Sequence, residues 1–340
     1  MAKAIALLSG GLDSTLAALI VLKQGIEVTA VTFMTHFGCD PFNLTDSSSC
    51  SSNPLPNALK FGFDVKLSHL ADKFIDIVKN PKFGYGKNIN PCIDCRILML
   101  KEAKSLMENM GADFLITGEV LGQRPMSQRR ATFPVIDKES DTIGLVLRPL
   151  TAKRLNPTMP EINGIIDRNA LYDFHGRSRK PQIALAKELG LTEYPDPGGG
   201  CLLTEPFYAY RLNDLLKYSP DATYKEINLL KYGRHFRLSD RCKAVVGRNE
   251  RENNILEGLY AQGDLILIAD TVGSPATLLI GEFTDVEIRM AASITARYCD
   301  ARAESNVKIG IWEGIERFIK NIIVPPALKV TLDKLRIEAR

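Results

Sequence analysis

The chain has 340 residues, of which 45% are hydrophobic, and its formal net charge at pH 7 is +3. This length predicts about two or three domains with ordinary apolar cores. The sequence shows no secretory signal and no apolar run long enough to span a membrane, so we expect a cytoplasmic protein without a membrane partner. A net charge this small does not by itself indicate a nucleic-acid-binding protein.

Short apolar strands and helical patterns alternate through roughly the first 200 residues. The predicted strands are Ala4–Leu8, Val28–Phe33, Asp64–Leu67 and Phe114–Thr117. The predicted helices are Thr15–Lys23, Leu70–Val78 and Ile97–Met110. This alternation predicts an α/β fold, a doubly wound parallel sheet with helices on both faces. Ligands of such sheets bind beyond the carboxyl ends of the strands.

The segment Ser9-Gly10-Gly11-Leu12-Asp13-Ser14 lies at the turn between the first strand and the first helix. Its two glycines let the backbone bend sharply and approach a ligand closely. The helix that follows presents free N–H groups and the positive end of its dipole to this turn. Ser9 and Ser14 add hydroxyl donors, so the segment predicts a binding site for phosphate oxygens.

The order of residues in this turn differs from that of a Walker loop, which has a lysine after its last glycine. It resembles the PP-loop, S-G-G-x-D-S, of the ATP pyrophosphatases at all six positions. The resemblance implies a HUP-type nucleotide-binding fold and cleavage of ATP between its α and β phosphates. It assigns ATP binding to Ser9, Gly10, Gly11, Asp13 and Ser14. Asp13 is also expected to be catalytic by orienting Mg²⁺, which favours phosphate oxygens and one or two carboxylates.

Residues at the ends of other strands complete the expected ATP site. Phe33 ends the second predicted strand, Gly118 and Glu119 follow the fourth, and Gln123 comes shortly after them. The polar stretch from Thr35 to Asn57 interrupts the alternation. We interpret it as a flap over this edge of the sheet, with a long surface insertion as the alternative.

Seven cysteines without a secretory signal favour a reducing compartment, where thiols are more often catalytic or metal-binding than disulfide-bonded. Cys92 and Cys95 form a C-x-x-C that opens a helix, a spacing that fits a zinc half-site, a redox pair, an iron–sulfur half-site or a coincidence. Structural zinc is not expected, because a second C-x-x-C and a spaced histidine pair are both missing from the sequence. With Cys201, which ends a triple-glycine loop, these thiols suit either a [4Fe–4S] cluster or a persulfide relay.

The pattern changes near residue 232. A helical stretch at Phe207–Tyr232 is followed by β-type alternation and a further helix, and these elements are Lys243–Val246, Leu265–Ala269, Thr277–Ile280 and Val286–Arg297. We therefore place a PP-loop domain at 1–210, a helical linker at 211–232 and a smaller α+β domain at 233–340.

Basic residues cluster in three segments of the first domain, which are Gln123–Arg130, Arg148–Arg154 and Arg177–Lys180. Such clusters are typical of surfaces that contact the phosphate backbone of nucleic acids. Solvated surface charge is the alternative interpretation of each cluster.

Several segments together resemble the tRNA thiolation enzymes of the PP-loop superfamily. Asn90–Cys95 is similar to the N-P-C-x-x-C of bacterial tRNA 2-thiouridylases. Thr117–Gln123 with Ser127-Gln128, and Leu147–Leu150 after it, are similar to the T-G-E-x-x-G-Q…S-Q and R-P-L segments of 4-thiouridine synthetases. Gly199–Thr204 resembles the loop with the second essential cysteine. The resemblance covers about residues 1–210 and implies that Cys92 and Cys201 are catalytic.

The chain departs from both of these enzyme groups. We find neither the THUMP domain of the 4-thiouridine enzymes nor the C-terminal β-barrel of the 2-thiouridylases, so the modified position does not carry over. Val246–Asn253 instead resembles the V-G-R-N…N-D signature of the NFACT-R RNA-binding domain, with Asn254 in place of the usual Asp. This resemblance covers about residues 233–305 and implies that Arg248 contacts RNA phosphates. A structural turn capped by Asn249 is the alternative.

These patterns predict an ATP-dependent tRNA sulfurtransferase. A uridine carbonyl oxygen attacks the α-phosphate, pyrophosphate leaves, and a sulfur nucleophile then displaces AMP. The sulfur comes from sulfide or a cysteine desulfurase and is carried on a cluster held by Cys92, Cys95 and Cys201, or as a persulfide on Cys92 or Cys201. The alternatives are a PP-loop enzyme acting on a small molecule and a non-catalytic RNA-binding protein. Whether the chain forms a homodimer stays open.

Overall fold

The computed structural model describes residues 1–37, 53–196, 201–314 and 316–338. The chain divides into two compact units, Met1–Thr204 and Glu205–Arg340. The central part of the predicted flap (38–52) and most of the glycine loop before Cys201 (197–200) lie outside the described residues. Within the described ranges, no helix is both long and apolar enough to cross a lipid bilayer.

The strands of the first unit form a parallel sheet, which confirms the predicted fold class. They are β1 (Lys3–Leu7), β2 (Glu27–Met34), β3 (Asp64–His69), β4 (Phe114–Thr117) and β5 (Val146–Leu147). Their order across the sheet is β3-β2-β1-β4-β5, and Ile5 of β1 aligns with Thr29 of β2 and Leu115 of β4. Since the order reverses at β1, the carboxyl ends of β1 and β4 flank the point where ligands of such sheets bind.

Helices cover both faces of this sheet. They are α1 (Leu12–Leu22), α2 (Leu55–Phe61), α3 (Ala71–Lys79), α4 (Cys92–Asn109), α5 (Thr132–Glu139), α6 (Met159–Ile162) and α7 (Lys180–Glu188), with 3₁₀ turns at Ala152–Arg154, Arg168–Ala170 and Leu202–Thr204. On one face, Leu16 of α1 and Leu185 of α7 are buried in the same apolar cluster as Ile116. On the other face, Leu100 of α4 packs in a cluster with Ile5.

Two helix starts position the residues of interest. The first helix begins at Leu12 rather than at Thr15, because Gly11 is an extended N-cap and Asp13 lies in the first turn, where its charge suits the helix dipole. The fourth helix begins at Cys92, so the C-x-x-C opens a helix as predicted.

The second unit is built on an antiparallel sheet, which confirms its α+β class. Its strands are β6 (Arg234–Ser239), β7 (Cys242–Val246), β8 (Leu265–Ala269), β9 (Thr277–Gly281), β10 (Val307–Glu313) and β11 (Arg317–Val324), in the order β11-β10-β8-β9-β7-β6. Its helices are α8 (Pro206–Tyr218), α9 (Tyr224–Leu229), α10 (Glu250–Gly258), α11 (Asp285–Tyr298) and α12 (Lys329–Leu335). The flanking strands β6, β10 and β11 were not predicted.

Helices also cover both faces of the second sheet. Ala292 and Ala296 of α11 pack in a cluster with Ile309 on one face. Leu229 of α9 and Leu256 of α10 are buried against the other face. The segment 211–232, which the sequence indicated as a linker, lies in α8, α9 and the residues around them, within the second unit.

Lys243 of β7 is only 3% exposed. Because a lysine is buried here, we expect the stability of the second unit to depend on pH. Burial, with the nearby charges of Arg237 and Arg211, lowers its pKa from 10.5 to about 7, although Asp214 and Glu226 act in the opposite direction. Between pH 7 and 10.5 the unfolded chain therefore binds a proton that the folded chain lacks, so stability rises with pH. Below this window, the cost of burying the charge is fully present.

We expect Lys243→Met to raise the melting temperature of the second unit most at pH 6, with a gain that shrinks as the pH approaches 10. The single tryptophan, Trp312 of β10, lies in this unit, so its fluorescence reports the transition. Lys308→Met, which removes a half-exposed lysine of β10, is the control. If the gain in melting temperature were the same at every pH, the cost of burying the charged form of Lys243 would not be its cause.

Candidate nucleotide and thiol site

The predicted phosphate loop follows β1 and is held by its own hydroxyl groups. Ser14 Oγ donates to the Gly11 carbonyl at 2.9 Å and lies 3.1 Å from Ser9 Oγ. The Ser9 backbone N–H donates to Ser14 Oγ at 3.3 Å. Gly10 has φ = 73°, a left-handed conformation that favours glycine. The loop is therefore pre-shaped before any ligand arrives.

Gly11 and Gly118 differ in whether a side chain would fit at their positions. Gly11 has φ = −77°, and a Cβ there would meet only Ser9 Oγ, at 3.5 Å, so the fold itself does not require glycine. A Cβ on Gly118 would lie 2.5 Å from backbone atoms of Asp13 and Ser14. The end of β4 thus packs directly on the phosphate loop, and Gly118 lies beside that loop.

Asp13 is oriented by an amide and keeps one oxygen unpaired. Gln123 Nε2 donates to Asp13 Oδ2 at 2.8 Å, whereas the buried Asp13 Oδ1 has no hydrogen-bond partner among the described residues. Burial raises the pKa of Asp13, and Gln123, Arg179 and Arg124 counteract this rise. An unpaired buried carboxylate oxygen beside two cationic side chains fits a site that binds a cation together with phosphates.

Gln182 of α7 was not identified from the sequence. It is completely buried. Its amide N–H group lowers the pKa of Asp13, so it faces that carboxyl group. Pro181 next to it, in the first turn of α7, is a helix-start signal that would have located this element.

Glu119, a predicted ATP-binding residue, lies in a buried ion-pair network. It is 2% exposed and accepts a hydrogen bond from Arg148 Nε at 3.0 Å. Arg148, 4% exposed, also donates two hydrogen bonds to Asp137, at 2.6 and 3.0 Å. Its burial excludes the predicted phosphate-contact role of Arg148. Phe33, another predicted ATP-binding residue, lies half-buried near the end of β2.

We expect Arg148→Met to lower the free energy of unfolding of the first unit by about 3–5 kcal/mol, because the buried Glu119 and the half-buried Asp137 lose their partner. Hydrogen exchange of the β4 amides measures this. Arg154→Met is the control from the same sequence cluster. Its side chain is 36% exposed and lies 3.4 Å from Asp173, so we expect a loss below about 1 kcal/mol. Equal losses for both variants would contradict the structural role of Arg148.

The C-x-x-C is fixed by the residues around it. Within the first turn of α4, the buried Asp94 accepts hydrogen bonds from the backbone N–H groups of Lys82 and Phe83, at 2.9 and 3.2 Å. Arg96 Nε lies 3.6 Å from Glu119 Oε1. The charge of Arg96 lowers the pKa values of Cys92 and Cys95, against the effect of burial. One arginine thus lies between the thiol pair and the carboxyl end of β4.

The structure brings Cys201 to this thiol pair. Asn88 Nδ2 donates to the Thr204 carbonyl at 2.7 Å, and the Ile89 N–H donates to the Leu203 carbonyl at 3.3 Å. These bonds join the residues after Cys201 to the residues before α4. The three thiols of Cys92, Cys95 and Cys201 are close enough that the charges of Cys92 and Cys201 raise the pKa of Cys95.

All three thiols are free and favour the protonated state. Burial raises the pKa of Cys95 to about 12 and that of Cys201 to about 11, and it also raises the pKa of Cys92. Three thiols are a donor set that iron–sulfur clusters use. Among the described residues, however, no three His, Cys, Asp or Glu side chains are arranged to hold a metal ion. The residue types suit a cluster, and their arrangement here does not form its site.

In the second unit, the predicted RNA signature stabilises a helix start. Asn249 caps α10 by accepting from the Glu252 N–H at 3.0 Å. Glu252 accepts from the Arg248 guanidinium, with Nε at 2.9 Å, and the Arg248 side chain is 47% exposed. Asn253 Oδ1 accepts from the Ala276 N–H at 3.1 Å. The Asn249 cap, which was the alternative to an RNA-binding role, is therefore present. The Arg248 side chain is half-exposed, so part of its guanidinium is accessible to other groups.

A doubly wound parallel sheet with a serine–glycine loop after β1 and an unpaired carboxylate in that loop defines a nucleotide-binding protein of the PP-loop class. Residues 1–156 match the family model described as thiamine biosynthesis protein (ThiI). Residues 233–335 match the model of the NFACT protein RNA binding domain. The first unit therefore carries the match to the ThiI model and the second unit the match to the NFACT RNA binding domain model, in the segments whose motifs indicated these resemblances.

Parts of this chain are similar to three curated proteins. A tRNA-specific 2-thiouridylase MnmA of Clostridium kluyveri is 30% identical over 35% of this chain and 36% of its own. A probable tRNA sulfurtransferase of Lysinibacillus sphaericus is 31% identical over 44% of this chain and 34% of its own. A tRNA-specific 2-thiouridylase MnmA of Acetivibrio thermocellus is 26% identical over 65% of this chain and 59% of its own. The matches thus span between about a third and three fifths of these relatives.

Among solved structures, a 4-thiouridine synthetase–RNA complex with bound ATP is 23% identical, with a TM-score of 0.40. That match covers 57% of this chain and 44% of the other.

Proposed function

We propose that this chain is an ATP-dependent tRNA sulfurtransferase that activates a uridine carbonyl oxygen by adenylation. The observation that carries the proposal is the placement of three thiols and a phosphate loop in one unit, with Arg96 between the thiol pair and Glu119. A nucleotide-binding protein without thiol chemistry has no use for this arrangement.

The phosphate loop binds the triphosphate of ATP in this proposal. Hydroxyl and N–H donors of Ser9 to Ser14 and the positive end of α1 face the phosphates. Arg124 and Arg179, whose charges act on Asp13, offset the phosphate charge. Asp13, through its unpaired oxygen, would hold Mg²⁺, and the ion would supply charge neutralisation for the pyrophosphate leaving group. The uridine oxygen attacks the α-phosphorus, and the bond to the β-phosphate oxygen breaks.

Sulfur transfer follows at the activated carbon. The terminal sulfur of a persulfide on Cys92 or Cys201 attacks this carbon, and AMP leaves with the former carbonyl oxygen. The other cysteine then attacks the sulfur that remains on the protein, so the S–S bond breaks and the terminal sulfur stays on the nucleoside. A disulfide between Cys92 and Cys201 results, and an external dithiol must reduce it. If a cluster were bound instead, Cys92, Cys95 and Cys201 would be the residues that hold it, and it would supply the sulfur in place of the persulfide.

The second unit supplies RNA binding in this proposal, which rests on its NFACT RNA-binding domain. Positively charged side chains such as the half-exposed Arg248 contact phosphates and position the tRNA without reading its sequence. A PP-loop enzyme acting on a small molecule has no need of such a domain.

Bulk tRNA from a strain lacking the gene and from its parent tests the proposal, with thionucleosides quantified by mass spectrometry after digestion. We expect one thiouridine species to disappear and to return on complementation. The purified chain should release pyrophosphate from ATP faster when that tRNA is added. An unchanged thionucleoside profile, with pyrophosphate release that does not respond to tRNA, would refute the proposal.

A further inference from the structure

Thr204 is bonded both to Cys201 and to Asn88, which precedes α4. The Thr204 hydroxyl and N–H both donate to the Cys201 carbonyl, at 2.7 and 2.9 Å. The Thr204 carbonyl accepts a hydrogen bond from Asn88 Nδ2, also at 2.7 Å. Thr204 is only 9% exposed, so water has little access to its side of these bonds. Together they form the Asn88–Thr204 link, which ties the backbone of Cys201 to the segment that leads into the C-x-x-C.

A buried backbone contact runs beside this link. The Ile89 N–H donates to the Leu203 carbonyl at 3.3 Å, and these residues are 4% and 0% exposed. Ile89 lies shortly before Cys92 in the chain and Leu203 shortly after Cys201, so neither cysteine can move far from this contact. The thiols respond to each other accordingly, since burial and, to a lesser degree, the charge of Cys92 raise the pKa of Cys201.

The backbone at Asn88 restricts which residue can make the link. Its φ is 56°, in the left-handed region that asparagine adopts more readily than most residues other than glycine. Asparagine therefore meets two requirements at this position, the left-handed turn and an amide donor directed at Thr204. Glycine would meet only the first of them.

We propose that Asn88 and Thr204 are positioning residues for sulfur transfer, which hold Cys201 where it can bond to Cys92. The inference rests on the proposed function in one respect, since the persulfide relay ends in a disulfide between these two cysteines. Cys95 follows Cys92 within α4, so a bond between those two depends on the helix and not on the link. The link thus favours Cys201 over Cys95 as the partner of Cys92.

The test measures disulfide formation directly, without ATP or tRNA. The full-length chain is equilibrated with glutathione and glutathione disulfide, quenched with acid, alkylated and digested. Mass spectrometry then quantifies the Cys92–Cys201 and Cys92–Cys95 disulfides. Each forms when a pair of cysteine thiols is oxidised and one glutathione disulfide is reduced to its thiols, so the protons and electrons balance.

The variants remove one bond of the link at a time. Asn88→Gly keeps the left-handed backbone and removes the amide donor, whereas Thr204→Val keeps the branched shape and removes the hydroxyl. Gln24→Ala is the matched control, because Gln24 Nε2 also donates to a distant backbone carbonyl of the first unit, that of Asp167, at 3.4 Å.

We expect Asn88→Gly and Thr204→Val each to lower the ratio of the Cys92–Cys201 to the Cys92–Cys95 disulfide by about threefold or more, the equilibrium effect of one lost hydrogen bond. Gln24→Ala should keep the wild-type ratio. An unchanged ratio in either variant would overturn the role of that residue. Absence of the Cys92–Cys201 disulfide from the wild type would overturn the whole proposal. If the ratio falls and tRNA is never thiolated, the positioning role stands and only the proposed function fails.

Discussion

Replacing Gly118 with alanine is expected to reduce ATP-dependent pyrophosphate release by about 100-fold or more, because misplacing a binding group by about 1 Å has an effect of this size. The new Cβ would lie 2.5 Å from the Asp13 carbonyl carbon and from Ser14 N and Cα, all of them backbone atoms. No side-chain rotation relieves such a contact, so the phosphate loop must move away from β4. Nucleotide affinity, measured by calorimetry, should fall with activity.

Gly258→Ala is the matched control for this variant. Gly258 ends α10, and a Cβ there has no neighbour within 4 Å. Alanine should be accommodated there and should leave both folding and pyrophosphate release unchanged. Wild-type nucleotide affinity in Gly118→Ala would show that the loop and β4 are not packed as closely as the structure indicates. A global loss of structure is excluded by comparing the circular dichroism of both variants.

Serine at Cys92 or at Cys201 is expected to lower tRNA thiolation by about 1,000-fold or more, the size of effect found when a nucleophile is removed. Release of pyrophosphate should continue, because the phosphate loop and Asp13 are unaffected. Thionucleoside yield and pyrophosphate are measured in the same reaction. Cys299→Ser is the control, since Cys299 is buried in the second unit and its thiol donates to the Ala296 carbonyl, a bond that a hydroxyl can make.

Cys95→Ser separates the two forms of sulfur chemistry. A persulfide relay between Cys92 and Cys201 leaves Cys95 dispensable, so thiolation should persist in this variant. A cluster needs all three thiols, so thiolation and anaerobically bound iron should be lost together. If Cys92→Ser and Cys201→Ser both retain thiolation, neither form of the thiol chemistry holds.

Arg96 connects the thiol pair, Cys92 and Cys95, to the carboxyl end of β4. Its guanidinium lies 3.6 Å from the buried Glu119, which Arg148 in turn fixes. Its charge also makes Cys92 and Cys95 easier to deprotonate. The residues that link the thiol pair to the carboxyl end of β4 thus form one electrostatic network, although they come from separate segments of the chain.

Sequence reasoning was strongest where the signal was local. The strand β4 was located to the residue, and the helix that begins at Cys92 was expected from the C-x-x-C. The antiparallel strands β6, β10 and β11 were missed. The basic clusters could not be interpreted from the sequence alone, because the sequence does not show which residues are buried. Arg148 is 4% exposed, whereas Arg154 lies at the surface.

The sequence by itself determined the class of this protein, since a phosphate loop needs only six consecutive residues between a strand and a helix. It likewise predicted the α/β sheet and the RNA-binding signature, which depend on local periodicity and short spacing. The tertiary structure alone decided which distant residues meet: Cys201 with Cys92 and Cys95, and Gln182 with Asp13. These contacts between distant residues depend on strand order and on long-range hydrogen bonds. One example is the bond from Asn88 Nδ2 to the Thr204 carbonyl, whose partners lie 116 residues apart. Periodicity along the chain carries no information about them.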